Sequence, residues 1–333
     1  MVRIKELGLK NGPVFLLPKT VFFPINLQLT QRSSFLNFLA LFFGQGVKKM
    51  KRLITILVAV MLSLSSLMAQ GATEEKAVKI NVISREEGSG TRGAFVELTG
   101  VEEKVDGVKV DQTTLDAEIA SSTSVVITTV AGDKNAIGYI SLGSLNDTVK
   151  AIEVDGTYPT VDTVKSGEYK IARPFVVAYM SLSDVAEDFL SFVMSKSGQD
   201  IIQGKGYIKV NETEEGYSAS MKSGTLTISG SSSVYPVMEK LTEAYSALNP
   251  DVKITLMQSD STTGVNDAIS GKSDLGLSSR ELKDSEKEKG LTPQVIALDG
   301  IAVIVNKENS VNGLSTETIK DIYKGNITTW EGL

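Results

Sequence analysis

Residues 85–95 read REEGSGTRGAF, and this stretch decides how the rest of the chain is interpreted. It follows a short β-type run, VKINVI at 78–83, and leads into a segment that predicts a helix over 93–98. Small hydroxyl residues and glycines before a helix leave backbone N–H groups free beside the positive end of the helix dipole. Such a turn suits a bound anion, and Gly90 lets the backbone approach it closely.

Two later stretches share this construction. GSSSVYP at 230–236 and SDSTTGV at 259–265 both stand between a predicted strand and a predicted helix. Any one of them alone is better explained by Ser or Thr capping the helix. Three such loops together with an arginine favour an anion-binding site.

Arg85 is the candidate fixed cation of this site, because a guanidinium can donate to two oxygens of an oxyanion at once. The alternative is a surface salt bridge to Glu86 or Glu87. A combined role is also open, in which Glu87 orients Arg85 from behind the ligand.

The composition excludes several classes of protein. The 333-residue chain has no cysteine and no histidine, so it has no disulfide framework, no Cys/His metal site and no Ser-His-Asp triad. Its net charge of -6 argues against nucleic acid as a partner. We expect no cofactor, no metal and no catalysis, since a phosphatase would need a Ser/Lys pair or a carboxylate metal cluster that no spacing indicates.

The first part of the chain predicts export. Basic residues at 48–52 precede the apolar run LITILVAVML at 53–62 and a small-residue segment, which together predict a signal peptide at 50–71, cleaved after Gly71. A membrane anchor is the alternative, although the run is short for one. Residues 1–49 are interpreted as an upstream extension without a domain, and the mature protein is expected to be periplasmic or secreted.

The remaining pattern alternates strands and helices, which predicts α/β lobes built on central sheets. Helices are predicted at 184–194, from Pro236 and from Val265, whereas 124–130 is ambiguous and 211–223 is typical of a linker. Strands are predicted at 136–140, 174–179, 225–229, 252–256, 274–277, 295–298 and 301–305.

Six segments together resemble the phosphate-binding proteins of Pst-type ABC importers. They are REEGSGTRGAF, AIGYISLGSL, GSSSVYPV, QSDSTTGV, DLGLSSREL and IYKGNITTWEGL, and the resemblance spans nearly all of residues 78–333. It implies a type II periplasmic-binding fold, in which two α/β lobes close on phosphate in the cleft between them.

The resemblance also implies the binding residues, by matching motifs. The implied phosphate ligands are Arg85, Ser89, Gly90, Thr91, Ser232, Ser233, Ser261 and Ser279. Ser279 stands where many members have an aspartate that accepts a phosphate proton, so discrimination against sulfate is less secure here. Arg280 beside it is expected to alter the local charge balance or to pair with a nearby acid.

The order of the motifs departs from the family, in which the GSSSVYP half precedes REEGSGT. This indicates a circular permutation, with lobe I at 172–297 containing the linker 211–223 and lobe II split into 72–171 and 298–333. The alternatives are a rearranged gene whose product does not fold and a domain-swapped dimer; a monomer is the expectation.

The expected function is capture of inorganic phosphate and its delivery to a membrane permease. A binding protein for another tetrahedral oxyanion such as sulfate, and a phosphate sensor or adhesin without a transporter, are the alternatives.

Overall fold

The structure, a computed structural model, describes residues 77–333 together with two isolated positions, Val58 and Met61. The predicted extension 1–49 lies outside the described residues, and so does the predicted signal peptide 50–71 apart from those two positions. Within the described part of the chain, no helix combines the length and the apolar character that a membrane crossing requires.

Strands and helices alternate along most of this region. The strands are β1 Asn81–Arg85, β2 Glu102–Val105, β3 Val108–Asp111, β4 Glu118–Ala120, β5 Ala136–Ser141, β6 Val149–Ala151, β7 Glu153–Val154, β8 Ala172–Tyr179, β9 Ile208–Lys209, β10 Gly224–Ser231, β11 Val252–Ser259, β12 Leu275–Ser278, β13 Thr292–Asn306 and β14 Gly313–Leu314. The helices are α1 Gly90–Thr99, α2 Thr123–Gly132, α3 Val161–Ser166, α4 Asp184–Met194, α5 Lys196–Gly204, α6 Tyr235–Leu248, α7 Ser261–Ile269, α8 Asp284–Lys287 and α9 Thr316–Lys324.

The main sheet has the order β11-β10-β12-β8-β13-β5-β1-β4, and β6 and β9 also pair with β13. Its two ends are built alike. At one end β10 pairs in parallel with β11 and β12, and at the other β1 pairs in parallel with β4 and β5. Each end therefore collects the carboxyl ends of its parallel strands at one edge, where ligands bind in open α/β sheets.

The buried apolar residues form two large clusters, one for each end of the sheet. The first joins residues between Ile80 and Ile171 to Ile301–Tyr323 and Ile208, and the second lies between Phe175 and Ala297. We keep the names lobe II for the part around the first cluster and lobe I for the part around the second. The core of lobe II thus joins two stretches of chain with lobe I between them in sequence.

The two predicted strands at 295–298 and 301–305 are one strand in the structure, β13. It pairs with β8 over Thr292–Gly300 and continues against β5 over Ile301–Val305, so it belongs to both lobes. Asp299, which lies between the two predicted strands, is a charged residue that is fully buried. Its carboxylate pairs with Arg173 of β8, which explains why a charged residue does not end the strand.

Two helices begin several residues earlier than the apolar periodicity predicted. Helix α1 begins at Gly90 and α7 at Ser261, each after a residue whose side chain accepts from the first turn, Ser89 and Asp260. The ambiguous stretch 124–130 is helix α2, capped by Ser122. Its β-branched residues are helical because they pack on the sheet, which outweighs their weak intrinsic preference. The predicted linker 211–223 contains neither helix nor strand.

Candidate anion-binding site

Side chains from the two lobes meet where the parallel strands end. Ser232 follows β10 in lobe I, and its Oγ lies 3.0 Å from Nη2 of Arg85, the last residue of β1 in lobe II. The next serine makes a second connection, since Ser233 Oγ lies 2.8 Å from Thr91 Oγ1 at the start of α1. All four residues are buried, so these polar groups are arranged out of contact with bulk water.

Arg85 is fixed by a carboxylate on one side and by hydroxyls on the other. Its Nε and Nη2 lie 2.7 and 2.6 Å from the two carboxylate oxygens of Glu86, and Nη1 lies 3.3 Å from Thr123 Oγ1. The alternative prediction of a salt bridge to Glu86 is right about the partner, but the pair is not on the surface, since only 2% of the Arg85 side chain is exposed. Glu87, the residue predicted to position Arg85, is exposed, and it is Glu86 that makes the hydrogen bonds to the guanidinium.

The backbone of Arg85 is held as firmly as its side chain. Its amide donates to the hydroxyl of Tyr139 at 3.1 Å, and its carbonyl accepts from Arg92 Nη1 at 2.9 Å. Burial raises the pKa of Tyr139, so this hydroxyl stays neutral. The guanidinium is therefore set in place before any ligand arrives, which reduces the entropy that binding must remove.

The GSGT turn combines a cap, a close approach and a contact across the cleft. Ser89 caps α1, because its Oγ accepts from the amide of Arg92 at 3.3 Å. Gly90 packs directly against lobe I: a Cβ at this position would lie 2.5 Å from Ser261 Oγ and 2.8 Å from Ser279 Oγ. A side chain here would require Ser261 and Ser279 to shift, so glycine favours this close approach of the lobes.

Three serines of lobe I form a connected group opposite this turn. Ser231 Oγ donates to Ser279 Oγ at 2.9 Å, and the amide of Ser279 donates to Ser261 Oγ at 3.1 Å. The two acceptor hydroxyls are 3.3 Å apart and both residues are buried. The predicted ligand Ser279 therefore lies within the same cluster as Ser261.

Two residues of the site were missing from the sequence interpretation. Thr123 begins α2 and contacts Arg85, Ser232 and Ser233, while Ser231 supports Ser279. A signal for Thr123 was present, since SSTS at 121–124 is a fourth hydroxyl-rich segment at a helix start. The β-branched run after it concealed the helix.

Arg280 pairs with a nearby acid, which is one of the two roles expected for it. Its Nη2 and Nη1 lie 2.8 and 2.9 Å from the carboxylate oxygens of Glu286. Burial alone would raise the pKa of Glu286, but the hydrogen bond from Arg280 and the backbone amide of Lys283 hold this pKa below its ordinary value. Nη2 of Arg280 also lies 3.4 Å from Thr262 Oγ1.

The carboxylates around the cluster are already engaged. Both oxygens of Glu86 accept from Arg85, both oxygens of Glu286 accept from Arg280, and those of Asp260 accept from the amide and hydroxyl of Thr263. Among residues 77–333, no three Asp or Glu side chains are grouped to hold a metal ion. What this part of the chain offers a ligand is a set of hydroxyls, helix-start amides and one guanidinium, which is the chemistry of oxyanion binding.

The chain is similar to known phosphate-binding proteins. A model described as a PBP superfamily domain matches residues 69–197 and 216–332. "Phosphate-binding protein PstS 2" of Streptococcus agalactiae serotype V is 51% identical over 257 residues, covering 76% of this chain and 87% of that protein. The protein of the same name from Streptococcus pneumoniae serotype 4 is 43% identical over 289 residues, covering 85% and 99%.

A solved structure agrees with the fold. The crystal structure of a phosphate ABC transporter, phosphate-binding protein from Streptococcus pneumoniae TIGR4 is 44% identical, with a TM-score of 0.63, and the match covers 76% of this chain and 98% of that one. This confirms the predicted two-lobe α/β periplasmic-binding fold. By sequence and by architecture, the chain belongs to the PBP superfamily, among the phosphate-binding proteins of Pst-type ABC importers.

Proposed function

We propose that this protein captures inorganic phosphate in the cleft between its lobes and delivers it to the permease of an ABC importer. The observation that carries the proposal is the meeting of Arg85 and Thr91 of lobe II with Ser232 and Ser233 of lobe I, all of them buried. The names of the streptococcal relatives, which are phosphate-binding proteins, support the same ligand. Such relatives act in transport rather than catalysis, and we propose no reaction for this chain.

The hydroxyls of the site are arranged to donate. Ser232 Oγ accepts from Arg85 Nη2 and, at 3.3 Å, from the amide of Thr123, so its own proton can be donated to a ligand or to Thr123 Oγ1, 3.4 Å away. Ser261 accepts from the amide of Ser279 in the same way. Phosphate presents mainly acceptor oxygens, so we assign the binding energy to several donated hydrogen bonds, each worth about 1.5 to 3 kcal/mol when one partner is charged.

Net charge is not the source of affinity in this proposal. Glu86 neutralises Arg85, and the chain as a whole carries a charge of -6. An anion is held by local hydrogen bonds and helix-start amides at contact distance, since salt screens the distant charges beyond about 8 Å.

Capture requires the lobes to move relative to each other. We propose the boundaries 172–297 for lobe I and 72–171 with 298–333 for lobe II, so that β8 and β13 are the connecting strands about which the lobes open. Contacts between Arg85 and Ser232 would then form on closing.

One observation favours a second ligand class, the fully ionised oxyanions such as sulfate. Ser279 accepts from Ser231, so it has its own proton to donate to Ser261 Oγ, 3.3 Å away, or to a ligand, and the carboxylates of Glu86, Asp260 and Glu286 are engaged. Nothing in this cluster is placed as a strong acceptor for a ligand proton. Titration calorimetry on residues 72–333, unfolded and refolded to remove carried ligand, separates the cases: binding of phosphate without sulfate supports the first proposal, and comparable sulfate binding supports the second.

The proposal includes export and a permuted chain. We propose cleavage of a signal peptide at 50–71 and action outside the cytoplasm, which amino-terminal sequencing of the exported protein would test.

Support for the permutation comes from the two ends of the described region, which pair with each other: Trp330 N donates to Val78 O at 2.9 Å, and Ile80 N donates to Thr328 O at 2.8 Å. Joining 333 back to 76 would need only a short connection.

A further inference from the structure

Gly88 and Thr262 connect the two lobes at a place where no predicted ligand-binding side chain takes part. The carbonyl of Gly88, in the turn of lobe II, accepts from the amide of Thr262 at 3.2 Å and from its hydroxyl at 3.1 Å. Thr262 is the second residue of α7 in lobe I, where a helix amide has no partner inside the helix. A helix-start amide of the kind that elsewhere suits an anion is here used by the opposite lobe.

Thr262 is itself positioned from behind. Arg280 Nη2 lies 3.4 Å from its hydroxyl oxygen, and Arg280 is fixed by both carboxylate oxygens of Glu286. A hydroxyl that accepts from a guanidinium directs its own proton elsewhere, and the carbonyl of Gly88 is the acceptor in reach. Thr262 of lobe I is therefore the hydrogen-bond donor, and the carbonyl of Gly88 in lobe II is the acceptor.

The backbone at Gly88 is also shaped for this contact. A Cβ at this position would overlap the carboxylate of Asp260, the residue that caps α7. With glycine here, the turn comes close enough for its carbonyl to meet Thr262 without displacing that carboxylate.

We propose that the Thr262–Gly88 contact is a closing latch: it stabilises the closed form without touching the anion, and so sets how long a bound anion stays. The inference rests on the proposed function for its physiological meaning, but its geometry is independent of which oxyanion is bound. A contact that exists only in the closed form slows release and leaves the rate of first encounter unchanged.

The test compares Thr262→Val, which removes the hydroxyl and keeps the shape, with Thr262→Ser, which keeps the hydroxyl. Release of phosphate is measured by stopped-flow displacement from refolded residues 72–333. We expect Thr262→Val to release about three- to tenfold faster with an unchanged association rate, and Thr262→Ser to behave like wild type. Thr255→Val, at an exposed position of β11, is the matched control. Unchanged release by Thr262→Val would overturn the latch, whereas wild-type protein that binds no phosphate would overturn the proposed function.

A second readout needs no ligand. The chain has no cysteine, so spin labels can be placed at Asp147→Cys in lobe II and Lys253→Cys in lobe I, both exposed. We expect Thr262→Val to increase the fraction of long inter-label distances in ligand-free protein and Thr262→Ser to leave it unchanged. Identical distance distributions for Thr262→Val and wild type would contradict the latch.

Discussion

Arg85 Nη2 and Ser232 Oγ lie 3.0 Å apart, although 147 residues separate them along the chain. Arg85 ends a strand of one lobe and Ser232 follows a strand of the other, so this contact exists only when both halves of the site are assembled.

Arg85→Ala should weaken phosphate binding at least about 100-fold. It removes the guanidinium that contacts Ser232 and Thr123 and leaves Glu86 without its partner, and losing one member of a hydrogen-bonded buried charge pair is costly. Calorimetry on the refolded variant measures the effect, with circular dichroism to show that it is folded. Lys253→Ala, on the exposed edge strand, should bind as wild type does; unchanged affinity of Arg85→Ala would remove Arg85 from the site.

Glu86→Gln and Glu87→Gln should differ although the residues are neighbours. Glu86 holds Nε and Nη2 of Arg85, so its amide analogue loosens the guanidinium and should weaken phosphate binding roughly tenfold. Glu87 is exposed, and its variant should bind normally. Equal effects in a side-by-side titration would contradict the assignment of Glu86.

Ser279→Asp should sharpen selection of phosphate over sulfate. A carboxylate in place of this buried hydroxyl offers an acceptor that the proton of phosphate can satisfy and that repels fully ionised sulfate. The measurement is the ratio of the two dissociation constants by calorimetry. A ratio that moves towards sulfate would show that position 279 does not face the anion.

The buried pair between the lobes predicts a pH effect on stability. Asp299 Oδ2 lies 3.0 Å from Arg173 Nη2, and burial raises the pKa of Asp299 to about 6 despite the opposing effect of Arg173. Its ordinary value is about 3.9, so the folded protein binds more protons than the unfolded chain between these two pH values. The contribution of Asp299 to the free energy of unfolding should therefore be largest below pH 4 and fall as the pH rises to about 6.

Asp299→Asn isolates that contribution. The variant cannot titrate here, so its stability relative to wild type should improve between pH 4 and pH 7, by at most about 3 kcal/mol, in urea unfolding without phosphate. If its relative stability worsens over this range, attraction to Arg173 outweighs the cost of burial and the direction of the pKa shift is wrong.

The proposed permutation predicts that exchanging the order of the two halves of the chain preserves phosphate binding. A chain that runs from Gly224 to Leu333, through a short glycine-serine connection, into Lys76 to Val210 keeps the pairing of Val78 with Trp330. We expect a folded monomer with phosphate affinity within about threefold of the refolded natural order, by calorimetry and light scattering. A new chain that unfolds or dimerises would argue against the permutation.

Much of the site could be predicted because its signals are local. Glycines and hydroxyls before a helix mark the start of α1, and Arg85 stands three positions before the first of them. Thr123 escaped because the residues after it favour strands when judged alone, and only packing on the sheet makes them helical. The choice of Glu86 over Glu87 depends on which way each side chain leaves the turn. Strand β13 continues through Asp299 because Arg173, 126 positions away in the sequence, pairs with the carboxylate, and no local pattern shows this.

The divided core of lobe II has a consequence for how the protein is made. Ile319, Ile322 and Tyr323 pack fully buried against residues near the beginning of the described chain, and Tyr323 Oη donates to Ile83 O at 3.2 Å. During synthesis, every residue between Phe175 and Ala297 emerges before these three do. Lobe I has its whole core available first, and the half of lobe II that carries Arg85 waits, with its apolar face uncovered, until the last helix arrives. A nascent chain stalled before residue 316 would therefore present one finished lobe and one exposed surface to chaperones.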